Sequence, residues 1–253
     1  MPKINVYLPD ELATAVKAAE LPVSAICQKA LAEAVEVVNA ARKAVAALRN
    51  PRFDPDTRPA FAERLTTRMT AKLRRALELG RDAASTSEHV ETRHLLIGIL
   101  DERENLAVRL LDALDIDRDD LRDTAARINT DEPAPDTRAP ATQDPGSSSL
   151  WSGLTLPARV AIGAALEASI DLGHNYLGCE HLLLGLLGDD TSSAGRVLHE
   201  AGLDAATLHS TITSAAAGFA HARLNVPGVD PASLHQILQR LDSIEQRLSA
   251  QDS

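Results

Sequence analysis

An internal repeat is the feature of this chain that most limits how it can fold. At an offset of 87 positions, residues 77–121 align with residues 164–208 without a gap, and 11 of the 45 pairs are identical. Ten of the identities lie in the stretch from His94 to Leu121, which begins with HLLIGIL and matches HLLLGLL from His181 onward. The repeat therefore predicts a fold built from two similar units.

Each unit is expected to contain four helices. Hydrophobic residues make up 44% of the chain but aromatic residues only 2%, so Ala, Leu and Val must form most of the core, as in closely packed helices. Capping and stop residues predict the helix boundaries of the second unit. These are Leu172-Gly173 after the first helix, residues 179–187 as the second, Thr191 or Ser192 before the third, Gly202 after it, and Asp204 before the fourth.

The second unit resembles the Clp repeat, which occurs in pairs as the N-terminal domain of Clp unfoldases. Leu154-Thr155 and the run LGHNYLGCEHLLLGLL over residues 172–187 carry this resemblance. The first unit resembles the repeat more loosely, through FAERLT from Phe61 and the His94 run. The resemblance implies an all-α fold, a pseudo-twofold pair of four-helix Clp repeats, between a small N-terminal segment and a short C-terminal helix.

Composition then divides the chain into segments. Pro and Ser are concentrated over residues 129–149, which is typical of a flexible linker. The predicted divisions are residues 1–45 for the N-terminal segment, 46–60 for a linker, 61–128 for the first repeat, 129–150 for the flexible linker, 151–223 for the second repeat, and 224–253 for a linker and the C-terminal helix.

The N-terminal segment is predicted to be one strand and two helices. Residues 3–8 alternate between polar and apolar, and Asp10 and Ser24 are the expected helix caps. A segment of this size cannot close a core alone. It resembles the ribbon-helix-helix repressors and antitoxins, which dimerise by pairing their strands, so a homodimer is expected.

The same resemblance implies DNA binding. Residues 1–80 carry 13 basic and 9 acidic side chains, whereas the whole chain has a net charge of −10. In the implied complex, Lys3, Asn5 and Tyr7 reach base edges in the major groove, and Ser24 holds a phosphate. The alternative is that the three strand residues are only solvated.

Two ligand sites are implied by the resemblance to Clp N-domains. One binds phosphoarginine-marked proteins through a Thr-Glu pair before the repeat histidine. The first repeat has Thr92 followed by Arg93, and the second has Cys179 followed by Glu180, so neither keeps the pair. Glu180 is the candidate for guanidinium binding, and its alternative role is to compensate the charge of a helix N-terminus.

The other implied site is an apolar cleft that receives cyclic-peptide antibiotics. Trp151, the only tryptophan, is either part of the core or a platform for the ligand. The residues aligned with this cleft are Phe61, Leu73, Trp151, Leu154, Arg159 and Ile162.

Catalysis is not expected. None of the five lysines follows a glycine, so the chain lacks the Gly-Lys-Ser/Thr loop that holds nucleotide phosphates. No catalytic set, metal site or cofactor is predicted, and His94 and His181 are interpreted as hydrogen-bonding residues at helix starts. Two distant cysteines and the absence of a long apolar run favour the cytoplasm, with no membrane contact.

The sequence thus predicts a non-enzymatic protein that sequesters Clp-directed ligands, with DNA-binding autoregulation. The alternatives are a transcriptional regulator with a Clp-type sensor and an adaptor that docks on a Clp hexamer or its substrates. Near the C-terminus, apolar residues from Leu234 to Leu248 have heptad spacing. They form either an intermolecular coiled coil or a helix that packs on the protein itself.

Overall fold

The structure of the protein is a computed structural model. It describes residues 7–128, 132–133 and 150–224, with the backbone alone for 216–224. Over these residues there are eleven α-helices, one short 3₁₀ helix over Pro55–Thr57, and no strand. The helices are α1 Asp10–Ala18, α2 Val23–Leu48, α3 Pro59–Arg68, α4 Ala71–Ala83, α5 Thr92–Glu102, α6 Leu106–Ala113, α7 Arg118–Arg127, α8 Leu156–Asp171, α9 Cys179–Leu187, α10 Ser193–Glu200 and α11 Ala205–Leu224.

The two repeats contain corresponding helices, α4 to α7 and α8 to α11, which confirms the all-α class. Local capping explains the predicted boundaries of the second repeat. Gly173 has a φ of 71° after α8, and Gly202 has a φ of 80° after α10. The hydroxyl of Ser192 caps α10, and Asp204 accepts a 2.9 Å hydrogen bond from the amide of Thr207. Residues up to Leu203 form one compact unit, and a second begins at Asp204.

Short parallel bridges join the repeats at the starts of their helices. The amide of Leu177, before α9, donates to the carbonyl of Arg68 (2.8 Å), and Leu177 accepts from the amide of Thr70 (2.9 Å). In the corresponding place, the amide of Val90, before α5, donates to Gly153 (2.8 Å), and Val90 accepts from Thr155 (3.0 Å). Each repeat thereby completes the backbone pairing of the other.

The first two helices differ from the sequence prediction in how they begin. Of the predicted strand over residues 3–8, residues 3–6 lie outside the described residues. The predicted capping roles of Asp10 and Ser24 are wrong, because α1 and α2 begin directly after Pro9 and Pro22. Both side chains lie inside the first turn, where the Asp10 carboxylate still has a favourable interaction with the helix dipole.

Much of this N-terminal hairpin is apolar and exposed. No residue of α1 is buried, and the buried residues of α2 begin only at Ala41. The exposed side chains include Leu12, Leu21, Ile26, Leu31 and Val35.

The end of α2 packs against the repeats. Val45 and Leu48 are buried, and Leu48 lies against Gly163 of α8. Because this contact favours helix beyond residue 45, α2 continues into the segment predicted as a linker over residues 46–60. The division at residue 45 remains a prediction, as does the coiled coil over 234–248, which falls outside the described residues. No helix in the part of the chain that the structure describes is long and apolar enough to cross a membrane.

Candidate anion site between the repeats

A carboxylate lies between the first turns of α5 and α10. It belongs to Glu132, in the segment predicted as a flexible linker. Its Oε1 atom accepts hydrogen bonds from the amide (3.1 Å) and hydroxyl (2.6 Å) of Ser193 and from the hydroxyl of Thr92. Its Oε2 atom accepts from the amide of Thr92 (3.1 Å) and the hydroxyl of Thr155 (2.9 Å). We call Thr92, Thr155 and Ser193 the anion site.

Helix starts explain why these donors converge. Thr92 and Ser193 are the first residues of α5 and α10, so their amides have no partner inside their own helices. Thr155 is the residue that caps α8. Helix N-termini carry partial positive charge, and their free amides point outward, which together favour an anion.

Two of the hydroxyls are oriented by the neighbouring helix. The hydroxyl oxygen of Thr92 accepts from the amide of Ala194 (3.0 Å), and that of Ser193 accepts from the amide of Arg93 (3.1 Å). Each oxygen thus caps the opposite helix. The two hydroxyl oxygens also lie 2.8 Å apart, close enough for a hydrogen bond in either direction, beside their contacts with Glu132. Thr92, Thr155 and Ser193 are each 1% exposed, so the donors are held in a buried place.

The corresponding position in the second repeat cannot form the same site. Cys179 stands where the first repeat has Thr92, and Leu106 stands where the second repeat has Ser193. A thiol is a weak donor, and leucine has none. Cys179 is also buried, which raises its pKa well above the usual range. A carboxylate or phosphate therefore meets a full set of donors on one side of the repeat pair only.

The predicted ligand residue Glu180 lies elsewhere, at the start of α9. It is 4% exposed, and its carboxyl group folds back onto Gly178. Burial raises its pKa, although hydrogen bonds from its own backbone and from Tyr176 oppose that shift. This geometry favours the role at the helix N-terminus. Guanidinium binding by Glu180 remains a prediction.

Within the described residues, one group has ligand atoms close enough for a metal ion, namely His174, Glu180 and His181, all within 4.8 Å. Nδ1 of His181 accepts from the amide of Gly178 (2.9 Å), so Nε2 carries the proton and donates to Nδ1 of His174 (2.8 Å). Burial lowers the pKa of His181 to about 3, so the ring is neutral. Both of its nitrogens are engaged, which fits a hydrogen-bonding role.

His94 makes the equivalent contact in the first repeat. Its Nδ1 accepts from the amide of Glu91 (3.0 Å) at the start of α5. The prediction that the two repeat histidines are hydrogen-bonding residues at helix starts is confirmed.

The apolar cleft predicted from the resemblance is closed in this structure. Five of its six residues are buried, with exposures of 1% to 3%. Arg159 donates to the carbonyl groups of Phe53 and Pro51, which lie in the segment after α2. Trp151 is buried in the core, which favours that one of its two alternative roles, while a role as a ligand platform remains a prediction. Sequence alignment could not show that the segment after α2 covers the cleft residues, and their role in ligand binding remains a prediction. The five buried residues are Leu73, Trp151, Leu154, Arg159 and Ile162.

Phe61, the sixth residue, is half-buried rather than buried. It lines an open groove between α2 and α3, together with Ala44, Leu65 and Arg68. Its ring makes an edge contact with Phe53 at a centroid distance of 4.9 Å. The groove is largely apolar, but the Nε and Nη2 atoms of Arg68 are buried without a hydrogen-bond partner.

The predicted DNA-contacting residues are only partly described. Lys3 and Asn5 lie outside the described residues. Tyr7 is 92% exposed, and Ser24 is exposed in the first turn of α2, where it accepts from the side-chain amide of Gln28 (3.3 Å). Their role in DNA binding remains a prediction.

The sequence analysis missed Glu132, Thr155 and Ser193 as functional candidates. Ser193 had a signal, since it directly follows Thr191-Ser192, the predicted start of a helix, whereas Thr155 was noted only among the residues that carry the family resemblance. Glu132 had none, because an acidic residue in a Pro-rich linker is usually solvated.

Comparisons with a family model, with curated proteins and with solved structures were made for this chain. The family model described as the Clp repeat (R) N-terminal domain matches residues 68–149 and 153–252. An uncharacterized protein of Mycobacterium tuberculosis is 34% identical over 139 residues, which are 54% of this chain and 49% of the relative. A ClpA homolog of Cyanidium caldarium, an ATP-dependent Clp protease ATP-binding subunit, is 31% identical over 60% of this chain and 17% of its own length.

The chain therefore spans about half the length of the mycobacterial relative and a much smaller part of the ClpA homolog. Among solved structures, the N-terminal domain of the chaperone ClpD from Arabidopsis thaliana is 25% identical. The match covers 63% of this chain and 96% of that domain, with a TM-score of 0.42.

Proposed function

The chain belongs to the Clp repeat N-terminal domain family, and from this premise we propose that it is a non-enzymatic protein that captures ligands directed at Clp unfoldases. The ligands are phosphoarginine-marked proteins or cyclic-peptide antibiotics. By binding them, the protein lowers the free ligand concentration by mass action and protects or modulates the Clp protease.

The observation that carries this proposal is the anion site. Its Thr92 occupies the position where the family resemblance implies phosphate recognition, and five donors converge there on one carboxylate. A phosphate group suits donors at helix starts for the same electrostatic reason. The second repeat lacks these donors, so one phosphorylated group per chain is expected.

The groove between α2 and α3 supports a cyclic-peptide ligand. Phe61 and Leu65 give it apolar walls, and the two unpaired nitrogens of Arg68 await an acceptor. A buried donor without a partner costs about 1–3 kcal/mol, and a peptide carbonyl would remove that cost. The groove therefore replaces the closed cleft as the expected site for such a ligand.

Calorimetry on the full chain tests this function, with a Clp-targeting cyclic peptide and a phosphoarginine-containing protein as ligands. Arg68→Met should weaken peptide binding, whereas Arg74→Met, an exposed arginine of α4, should leave it unchanged. Binding to the chain should reduce the ligand bound by the N-domain of a Clp unfoldase in competition. Absence of binding by both ligands contradicts the proposal, and ATP hydrolysis above background contradicts its non-enzymatic part.

A second candidate function is transcriptional regulation through the N-terminal hairpin. The observation that favours it is the apolar surface of α1 and the first half of α2, which has no buried residue before Ala41. Dimerisation of this segment would cover that surface and present Lys3, Asn5 and Tyr7 to DNA. An adaptor that docks on a Clp hexamer is a third candidate, and co-sedimentation with the hexamer distinguishes it.

A further inference from the structure

We propose that Glu132 is a built-in occupant of the anion site, and that it keeps phosphate-bearing ligands out until they displace it. The inference deepens the proposed function and rests on it for the identity of the biological ligand. The competition itself, between the chain's own carboxylate and an external phosphate, can be tested independently.

The anion site surrounds the Glu132 carboxylate with more hydrogen-bond donors than a carboxylate in a linker usually meets. Two amides and three hydroxyls point at two oxygens, and the three residues that provide them are each 1% exposed. The phosphoryl group of phosphoarginine is bonded to nitrogen, but like a phosphate monoester, whose charge is about −1.5 to −2, it presents three acceptor oxygens. It would therefore use the same five donors with more charge than Glu132 brings.

The donors are also oriented without help from Glu132. The hydroxyl oxygens of Thr92 and Ser193 are fixed by the amides of Ala194 and Arg93, across the contact between α5 and α10. Thr155 is fixed by its capping bond from the amide of Ala158 (3.3 Å). An emptied site would keep its shape, and its buried donors would require another acceptor.

Covalent attachment gives Glu132 its advantage over free anions. It lies 40 positions after Thr92 and 23 before Thr155 along the chain. A covalently tethered group whose tether can span the distance to its site has an effective concentration on the order of millimolar. Dilute inorganic phosphate should therefore compete poorly, whereas a phosphorylated protein that also contacts the surrounding surface should succeed.

A purely structural role for Glu132 makes a different prediction. If Glu132 only joins α5, α8 and α10, its removal should lower stability and give no new affinity for phosphate. If Glu132 is a displaceable occupant, its removal should open a phosphate site. Phosphate should then restore part of any stability that was lost, because a ligand that binds only the folded state stabilises it.

The experiment uses the full chain as wild type, Glu132→Ala and Glu132→Gln, titrated with inorganic phosphate and with phosphoarginine in a calorimeter. Glu132→Ala should bind both on the order of tenfold or more tightly than wild type, because it lacks the tethered competitor. The affinity of Glu132→Gln for both ligands should lie between those of wild type and Glu132→Ala. Glu200→Ala, which removes an exposed acid from the end of α10, should behave as wild type. Adding Ser193→Ala and Thr155→Val to Glu132→Ala should abolish the gain.

Folded Glu132 variants that bind phosphate no more tightly than wild type would overturn the inference. If neither variant folds, NMR of the wild type decides, because a high phosphate concentration should shift the amide signals of Thr92 and Ser193, and unchanged signals would overturn it. If the inference about Glu132 fails, the proposed function can still be tested, because peptide binding at the groove lined by Arg68 is measured separately. A gain of phosphate affinity without any capture of Clp ligands would instead remove the proposed function.

Discussion

Gly98 of α5 lies against the backbone carbonyl oxygen of Ala76 on α4, with no room for a β-carbon between them. Gly185 of α9 makes the same contact with the carbonyl oxygen of Ala161 on α8. The two glycines match in the internal repeat because each allows a pair of helices to approach closely. Backbone atoms form the opposing surface, so no side-chain rotation can relieve a clash.

Substitution of either glycine should destabilise the protein by overpacking. We expect Gly98→Ala and Gly185→Ala each to lower the free energy of unfolding by about 1–3 kcal/mol. Gly163 in α8 is the matched control, because an added β-carbon there meets Leu48 at an ordinary 3.7 Å. Urea unfolding checks the difference, and equal effects at Gly98 and Gly163 would contradict the packing argument.

Acid should destabilise the protein through His181. Burial lowers its folded-state pKa from 6.5 to about 3, so between these values the unfolded chain binds the extra proton. The stabilisation is complete above pH 6.5 and decreases as the pH falls toward 3, by up to about 1.4 kcal/mol per pH unit. Burial also lowers the pKa of His94 and His174, which adds to the effect in the same direction.

His181→Asn should therefore flatten the dependence of unfolding free energy on pH, because the asparagine oxygen can accept the Gly178 amide without titrating. His209→Asn, at an exposed position of α11, is the control. Urea unfolding from pH 4 to 8 provides the measurement. Parallel pH profiles for wild type and His181→Asn would show that another group is responsible.

Removal of the Phe61 ring should mainly weaken ligand binding, whereas removal of the Trp151 ring should mainly lower the stability of the fold. Trp151 is 3% exposed, so Trp151→Ala should lower stability by about 3–5 kcal/mol. Phe61→Ala should weaken binding of a Clp-targeting cyclic peptide by about 1–3 kcal/mol, the range for an anchor residue, with a smaller loss of stability. Calorimetry and thermal unfolding separate the effects, and Tyr7→Ala controls for loss of an exposed aromatic ring. Unchanged peptide binding by Phe61→Ala would favour an opening of the predicted cleft.

DNA binding should depend on the first residues of the chain. Lys3→Ala with Asn5→Ala should reduce affinity for the protein's own promoter region, because these residues are predicted to contact base edges. The affinity of the wild type should fall as salt is raised, since phosphate contacts release counterions. Arg127→Ala, on the last turn of α7, is the charge-matched control for Lys3. Mobility shifts that are equal for the double variant and wild type would exclude this surface.

The helices of the repeats could be predicted because their boundaries are local. A capping hydroxyl such as that of Ser192, or a left-handed glycine such as Gly202, acts within a few residues of its own position. The predicted caps Asp10 and Ser24 place the starts of α1 and α2 too far along the chain. Both helices begin directly after a proline, and no side-chain hydrogen bond marks the start.

The anion site could not be predicted because its members meet only in the folded chain. Thr92 and Ser193 lie 101 positions apart, and Glu132 comes from a segment whose composition indicates solvation. The closure of the cleft could not be predicted for the same reason. Its cover comes from Pro51 and Phe53, next to a helix that was expected to end earlier, and hydrophobic pattern does not specify such long-range contacts.

The reciprocal bridges at Leu177 and Val90 bear on how the chain acquires its structure. Neither repeat can finish its backbone pairing alone, because the partner strand-like residues of each belong to the other. We therefore expect the two repeats to stabilise each other during folding, through contacts between residues that are distant in sequence. A cut within residues 134–149, which are predicted to be a linker, should leave two fragments whose bridging residues still complete each other, so this family member is a natural candidate for a split protein that reassembles when its halves meet.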